Sequence, residues 1–73
     1  MKLKPVESSN IAAVGYNKRK RELVIQFKSN AVYSYNNVPQ NVYDDLIAAP
    51  SIGSYFYKRV RDVYEYQKQE ASK

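Results

Sequence analysis

The sequence predicts an α+β domain in which a three-stranded antiparallel meander is covered on one face by two C-terminal helices, in the order β-β-β-α-α. Apolar and polar residues alternate within residues 11–35, as they do in half-buried strands. From Val42 onward the apolar residues recur at steps of three and four, as on one face of a helix. A chain of 73 residues is too short for two ordinary domains, so both halves are expected to share one core.

Strands are expected near residues 9–16, 21–27 and 31–36, where Val, Ile, Phe and Tyr are frequent. Residues 28–30 form a three-residue loop in which Asn30 takes the left-handed conformation.

This loop length fixes the register of the second and third strands. It pairs Phe27 with Ala31, Ile25 with Tyr33 and Leu23 with Tyr35, and it places these side chains on one face. The other face is more polar, and a partner could lie flat on it; it carries Val24, Gln26, Val32 and Ser34.

Two helices are expected to follow. Pro39 suits the first turn of the first helix, and Pro50 ends that helix. Ser51 is expected to be the N-cap of the second helix, and Gly53 to permit a close approach to a neighbouring element. The inward residues expected on the second helix are Ile52, Tyr55, Phe56, Val60, Val63 and Tyr64.

We interpret residues 1–73 as a single domain with a core at about residues 6–66 and flexible ends at residues 1–5 and 68–73. The absence of cysteine excludes a disulfide scaffold and a thiolate metal site, and the absence of histidine removes the commonest general base. We therefore expect no metal and no cofactor. No apolar run is long enough to span a membrane and the first residues do not resemble a signal peptide, so we expect a cytoplasmic protein without a membrane partner.

No catalytic constellation is recognisable. Asp44 and Asp45 are the only adjacent carboxylates, and neighbouring helical residues point about 100° apart, so this pair cannot flank one bond. There is no glycine-rich phosphate loop and no nucleophile with a recognisable base. The sequence predicts a protein that is not an enzyme.

The positive charge is concentrated in the first half of the chain. Residues 1–36 carry seven bases and two acids, which accounts for the whole net charge of +5. Four of these bases, Lys18, Arg19, Lys20 and Arg21, are consecutive at the expected tip of the first hairpin, where they could contact successive phosphates. The alternative is a solvated tip whose charge prevents aggregation at the sheet edge. Lys28 lies at the opposite end of the sheet, so these bases do not form one continuous stripe.

Lys58, Arg59 and Arg61 form a second basic patch on the expected last helix. Two alternatives stay open for this patch. Arg61 could turn inward and bond a carboxylate such as Asp44, Asp45 or Asp62, and Lys58 could pair with Asp62 along the helix.

Eight tyrosines are the other unusual feature of the composition. Exposed aromatic rings beside bases can stack single-stranded RNA. The register directs Tyr33 and Tyr35 into the helix-covered face, which favours a structural role for this pair. Tyr57, Tyr64 and Tyr66 are expected to be partly exposed, where they could contact a partner or a second copy of the chain.

The order of these motifs resembles the KTSC domain family, which takes its name from a C-terminal segment of some lysyl-tRNA synthetases and also occurs as small bacterial and phage proteins. The resemblance covers roughly residues 6–66. It is carried by Ser8-Ser9-x-Ile11, Val14-Gly15-Tyr16, Leu23-x-Ile25-x-Phe27, Tyr33-Ser34-Tyr35, Val38-Pro39, Val42-Tyr43, Leu46, Ala49-x-Ser51-x-Gly53, Tyr55-Phe56 and Val60-Arg61.

The resemblance implies no established activity, and RNA binding is the role suspected for the family. It assigns Tyr33 and Tyr35 to the family's Tyr-x-Tyr motif and Arg61 to the arginine of its last helix. The family's turn usually has glycine where this chain has Asn30, and asparagine tolerates the same backbone conformation.

We therefore expect a non-catalytic binding module. The first hypothesis is binding of RNA or another polyanion through the basic tip at residues 18–21 and through Lys58, Arg59, Arg61 and Tyr57. The alternative is a protein-interaction or self-associating accessory module of a host or phage, which acts without nucleic acid. A third possibility is a pocket in which tyrosines stack a base and an arginine holds the phosphate of a small ligand such as a nucleotide.

Overall fold

The structure, a computed structural model, describes residues 3–69. In chain order the elements are β1 (Lys4–Pro5), β2 (Ile11–Asn17), β3 (Glu22–Phe27), β4 (Val32–Tyr35), α1 (Gln40–Ala48), α2 (Ile52–Arg59) and β5 (Tyr66–Gln69). The strands form one antiparallel sheet in the order β1-β2-β3-β4-β5. Within residues 3–69, neither helix has the length and apolar character needed to cross a membrane.

The α+β class with two helices is confirmed, but the prediction of three strands is wrong because the sheet has five. The two additional strands are the outermost ones. β1 has only two residues, one of them proline, and β5 has a single apolar residue, Tyr66, so neither shows a readable alternation. These strands include residues 4–5 and 68–69, which we expected in the flexible ends. Residues 1–2 and 70–73 of those ends lie outside the described residues.

The predicted register between β3 and β4 is present residue for residue. Leu23 pairs with Tyr35 and Ile25 with Tyr33. The Phe27 amide donates to the Ala31 carbonyl at 2.8 Å, which closes the three-residue loop. Asn30 has a φ of 73°, the left-handed conformation expected for it.

The second helix begins where the sequence predicts but is shorter than expected, whereas the first begins at Gln40, because Pro39 is its extended N-cap and not part of the first turn. The Ser51 hydroxyl accepts a hydrogen bond from the Ser54 amide at 3.3 Å, as an N-cap does. The amides of Val60 and Arg61 both donate to the carbonyl of Phe56, which closes the helix at Arg59. Val63 therefore lies in a turn and is 60% exposed, although its spacing fits a helix.

Gly53 has ordinary space around it. A Cβ atom placed there would lie 3.5 Å from Ser8 Oγ, which is a normal van der Waals distance. The close approach that we expected at this position therefore does not require glycine.

The core lies between one face of the sheet and the two helices. Its buried residues are Ile11, Val14, Leu23, Ile25, Tyr35, Val38, Leu46, Phe56 and Val60. The Tyr16 hydroxyl donates to the Val38 carbonyl, and the Tyr16 ring stacks on Tyr43 at 5.2 Å between centroids, which ties the start of α1 to β2. In α2, Phe56 packs on Phe27 of β3 and on Tyr35 of β4, at 5.6 Å and 5.4 Å between ring centroids.

Candidate functional site

A cleft lined by aromatic rings lies between α2 and strands β3, β4 and β5. Its volume is about 470 Å³, within the range of small-ligand pockets. The charged residues on its rim are Arg61 and Asp62. We call this the aromatic cleft, and its rings belong to Phe27, Tyr33, Tyr35, Phe56, Tyr57 and Tyr66.

The strand register explains why the sheet contributes four of these rings. Phe27, Tyr33 and Tyr35 occupy alternate positions that share the helix-covered face of β3 and β4. Tyr66 pairs with Tyr35 across β4 and β5, so its ring lies on the same face. Lys68 pairs with Tyr33 and therefore places a cation on that face beside the cleft.

The rings contact one another in a continuous series. From Tyr57 the series passes to Phe56 at 5.6 Å between centroids, to Tyr35 at 5.4 Å and to Tyr66 at 5.6 Å. Tyr35 and Phe56 are 3% and 2% exposed and form the floor of the cleft. Tyr57 and Tyr66 are 45% and 55% exposed, so they form walls that solvent and ligands can reach.

Arg61 lies in the turn after α2, not on the helix, and this position directs it toward the cleft. Its guanidinium carbon is 5.1 Å from the centroid of the Tyr57 ring, which is a cation–π arrangement. The described contact of Arg61 is thus with an aromatic ring instead of the carboxylate partner weighed as an alternative.

Burial raises the pKa of the Tyr35 hydroxyl to about 12, and the neighbouring Tyr33 and Tyr66 add to this effect while Arg61 opposes it. Tyr35 therefore stays neutral across the physiological range. At the rim, the N–H groups of Arg61 donate hydrogen bonds and the Asp62 carboxylate accepts them, so this end of the cleft can bind an anionic group beside N–H donors.

The second basic patch is divided by the fold. Lys58 and Arg59 line a separate groove with Asp45 and Tyr55, whereas Arg61 belongs to the aromatic cleft. Burial raises the pKa of the Tyr55 hydroxyl; Asp45 raises it further and Arg59 lowers it. The fold therefore divides the three cations between two grooves.

The basic tip at residues 18–21 forms the turn between β2 and β3, and all four side chains are exposed. Its backbone is held in place: Asn17 Oδ1 accepts from the Arg19 amide at 3.0 Å, and the Val38 amide donates to the Arg21 carbonyl at 2.9 Å. Arg21, the last residue of the tip, is two residues before Leu23, and Leu23 pairs with Tyr35. The tip therefore lies toward the Tyr35 end of the aromatic cleft.

The structure thus joins four residues that the sequence singled out separately, namely Tyr33, Tyr35, Tyr57 and Arg61. The sequence did not assign Phe27, Asp62 or Lys68 to a site, and Tyr66 was expected only to be partly exposed. The alternation that places Phe27 on the face of Tyr33 was a usable signal. The positions of Tyr66 and Lys68 depend on β5, which has no clear pattern.

The model of the KTSC domain matches residues 7–64. A crystal structure of a KTSC domain protein from Yersinia pestis superposes with a TM-score of 0.92 at 30% identity, covering 94% of this chain and 97% of that one. A protein of Tsukamurella paurometabola is 45% identical over 53 residues, 73% of this chain and 79% of the relative. A lysine–tRNA ligase of Nostoc sp. is 38% identical over 65 residues, which is 89% of this chain but 11% of the ligase.

Proposed function

The chain belongs to the KTSC domain family, and we propose from this premise that it is a non-catalytic module that binds single-stranded RNA. The observation that carries the proposal is the pair of exposed rings, Tyr57 and Tyr66, on the two walls of a cleft with Arg61 at its rim. Aromatic rings beside a guanidinium group are the usual platform for unpaired bases, since bases stack on both.

The charge distribution supplies the second half of the proposal. The basic tip offers four exposed cations toward one end of the aromatic cleft, and Arg61 and Lys68 offer two more on its rim and beside it. Cations in these positions can hold the phosphates of a strand whose bases occupy the cleft. Binding of this kind weakens as salt rises, because it releases counterions from the nucleic acid.

Some of the sequence relatives are parts of enzymes that act on RNA, which supports the proposal. The lysine–tRNA ligases of Nostoc sp., Nostoc punctiforme and Trichormus variabilis contain a segment 38% identical to this chain over 65 residues. These enzymes, by name, act on tRNA, and the shared segment is 11% of each. An RNA-binding domain attached to such an enzyme would add affinity for its substrate without catalysis.

The test is an anisotropy titration with short single-stranded RNA, duplex RNA and single-stranded DNA over a tenfold salt range. We expect single-stranded RNA to bind best, with affinity falling steeply as salt rises. The variant Arg19→Gln/Lys20→Gln should weaken binding and flatten the salt dependence, because it removes phosphate contacts at the tip. The matched control Lys4→Gln/Arg59→Gln also removes one lysine and one arginine, but in β1 and in the separate groove, and it should bind nearly as the wild type does.

The proposal fails if the folded protein binds no RNA at tens of micromolar, or if affinity stays flat across the salt range. Equal losses of RNA affinity in the two double variants would show that binding depends on the net charge of the protein and not on the position of the tip.

A second candidate function, protein interaction or self-association, is favoured by the outer edge of β5. This strand lies at the end of the sheet and carries exposed residues, including Tyr66. A free strand edge can pair with a strand of another chain. A defined oligomer, or a protein partner that survives nuclease treatment in pull-downs, would support this function. A monomer whose pull-downs lose every component after nuclease treatment would exclude it.

A further inference from the structure

The geometry of the aromatic cleft points to a site for one unpaired nucleotide, with the base between Tyr57 and Tyr66 and the phosphate at Arg61 and Lys68; this inference rests on the proposed RNA binding. It assigns the base to residues of the cleft and the phosphate to a cation on its rim and a cation beside it.

The walls and floor of the cleft form a slot for a flat ring. Tyr57 and Tyr66 each contact the floor but make no ring contact with each other within residues 3–69. The buried rings of Phe56 and Tyr35 separate them, in a series of centroid distances of 5.4–5.6 Å. Arg61 lies over one face of the Tyr57 ring, so a planar aromatic ligand over this floor would have the Tyr66 ring and the Tyr57–Arg61 pair as its exposed stacking surfaces.

The size and rims of the slot favour one base over a duplex. A volume of about 470 Å³ suits a single small ligand. The floor lies beneath exposed walls, so a base must leave its stack and its pairing partner to reach Phe56 and Tyr35. The free energy needed to unstack and unpair the base weakens binding of a duplex, whereas an unpaired nucleotide binds without it.

The charged groups orient the nucleotide in the slot. Arg61 lies at the mouth beside Tyr57, and Lys68 lies beside Tyr33 on the β5 side, so both can neutralise a phosphate. Asp62 on the same rim repels phosphate but can accept hydrogen bonds from N–H groups on a base edge. We therefore choose guanosine monophosphate as the probe, because guanine offers ring and amino N–H donors.

The experiment is an NMR titration of the amide signals with guanosine monophosphate and, in parallel, with ribose 5-phosphate, which has the phosphate but no base. We expect guanosine monophosphate to shift the signals of residues that line the aromatic cleft, and ribose 5-phosphate to bind at least fivefold more weakly. Tyr57→Leu keeps an apolar side chain but removes the stacking face, and it should weaken binding about 5- to 150-fold.

A matched pair of arginine variants tests the phosphate contact. Arg61→Gln should weaken binding of guanosine monophosphate, whereas Arg59→Gln, the same substitution in the separate groove, should leave it unchanged. The inference is overturned if ribose 5-phosphate binds as well as the nucleotide, if the shifts cluster at residues 18–21, or if no cleft signal moves.

The two proposals fail separately. Salt-sensitive RNA binding with no response of the cleft to guanosine monophosphate would overturn the nucleotide site and keep the proposed function. A cleft that binds guanosine monophosphate in a protein that binds no RNA would overturn the proposed function and keep the nucleotide site.

Discussion

Asn30 closes the β3–β4 loop in the left-handed conformation, with a φ of 73°. Asparagine and glycine tolerate this region, whereas a Cβ without a compensating local hydrogen bond costs about 1–2 kcal/mol there. We therefore expect Asn30→Ala to lower the free energy of unfolding by about 1–2 kcal/mol in urea denaturation, and Asn30→Gly to lower it much less. An equal decrease in the free energy of unfolding in both variants would show that the asparagine side chain, and not the backbone conformation, determines the stability of the loop.

Tyr35 gives the stability of the protein a pH dependence in the alkaline range. Burial raises the pKa of its hydroxyl from 10.0 to about 12, so above pH 10 the unfolded chain loses this proton while the folded chain keeps it. The stability that this group contributes is complete below pH 10 and is lost as the pH rises toward 12. We expect a loss on the order of 2 kcal/mol.

The measurement for Tyr35 is the difference in free energy of unfolding between wild type and Tyr35→Phe from pH 8 to pH 11.5. The other tyrosines titrate in both proteins, so their effects largely cancel in this difference. A difference that does not change with pH would contradict the expectation.

At the scale of the element, the first turn of α2 can be strengthened at Gly53. A Cβ there would make only an ordinary contact at 3.5 Å with Ser8 Oγ, and alanine is about 0.5–1 kcal/mol more favourable than glycine inside a helix. Gly53→Ala should therefore raise the free energy of unfolding by about this amount. The control Ser54→Ala keeps the backbone amide that bonds Ser51, so it should change stability little. A destabilised Gly53→Ala would mean that the helix needs glycine for a closer contact.

Elements were predictable where local pattern and tertiary packing agree. The β3–β4 hairpin shows this, because its three-residue loop and its apolar alternation specify the same register. Elements were not predictable where tertiary packing alone determines whether a helix or strand forms and where it ends. Val63 has helical spacing, yet the chain leaves the helix when the amides of Val60 and Arg61 converge on the Phe56 carbonyl. The two-residue β1 exists through its pairing with β2, which no local signal reports.

At the scale of the whole molecule, the aromatic cleft is an assembly of parts that are far apart in the sequence. Tyr33 and Tyr35 could be assigned to the helix-covered face from alternation, and Arg61 and Tyr57 could be named as candidates. Their convergence depends on the end of α2 and on the return of the chain into β5. The separation of Arg61 from Lys58 and Arg59 has the same origin, because it follows from where the helix stops.

This dependence on β5 gives the last prediction, which concerns a chain that ends at Glu65. Removing β5 makes β4 an edge strand and takes away the ring contacts of Tyr66 with Tyr33 and Tyr35, at 5.4 Å and 5.6 Å between centroids. Aromatic pairs contribute about 0.5–1.5 kcal/mol each beyond buried area, so we expect the free energy of unfolding to fall by at least about 2 kcal/mol when the lost strand hydrogen bonds are included. Urea denaturation measures this loss.

The control for that truncation is a chain that ends at Gln69, which keeps β5. The shorter chain lacks one wall of the aromatic cleft, so it should also lose binding of guanosine monophosphate even where it is still folded. If the chain ending at Glu65 matched the control in both stability and nucleotide binding, β5 would be dispensable to the fold and to the site.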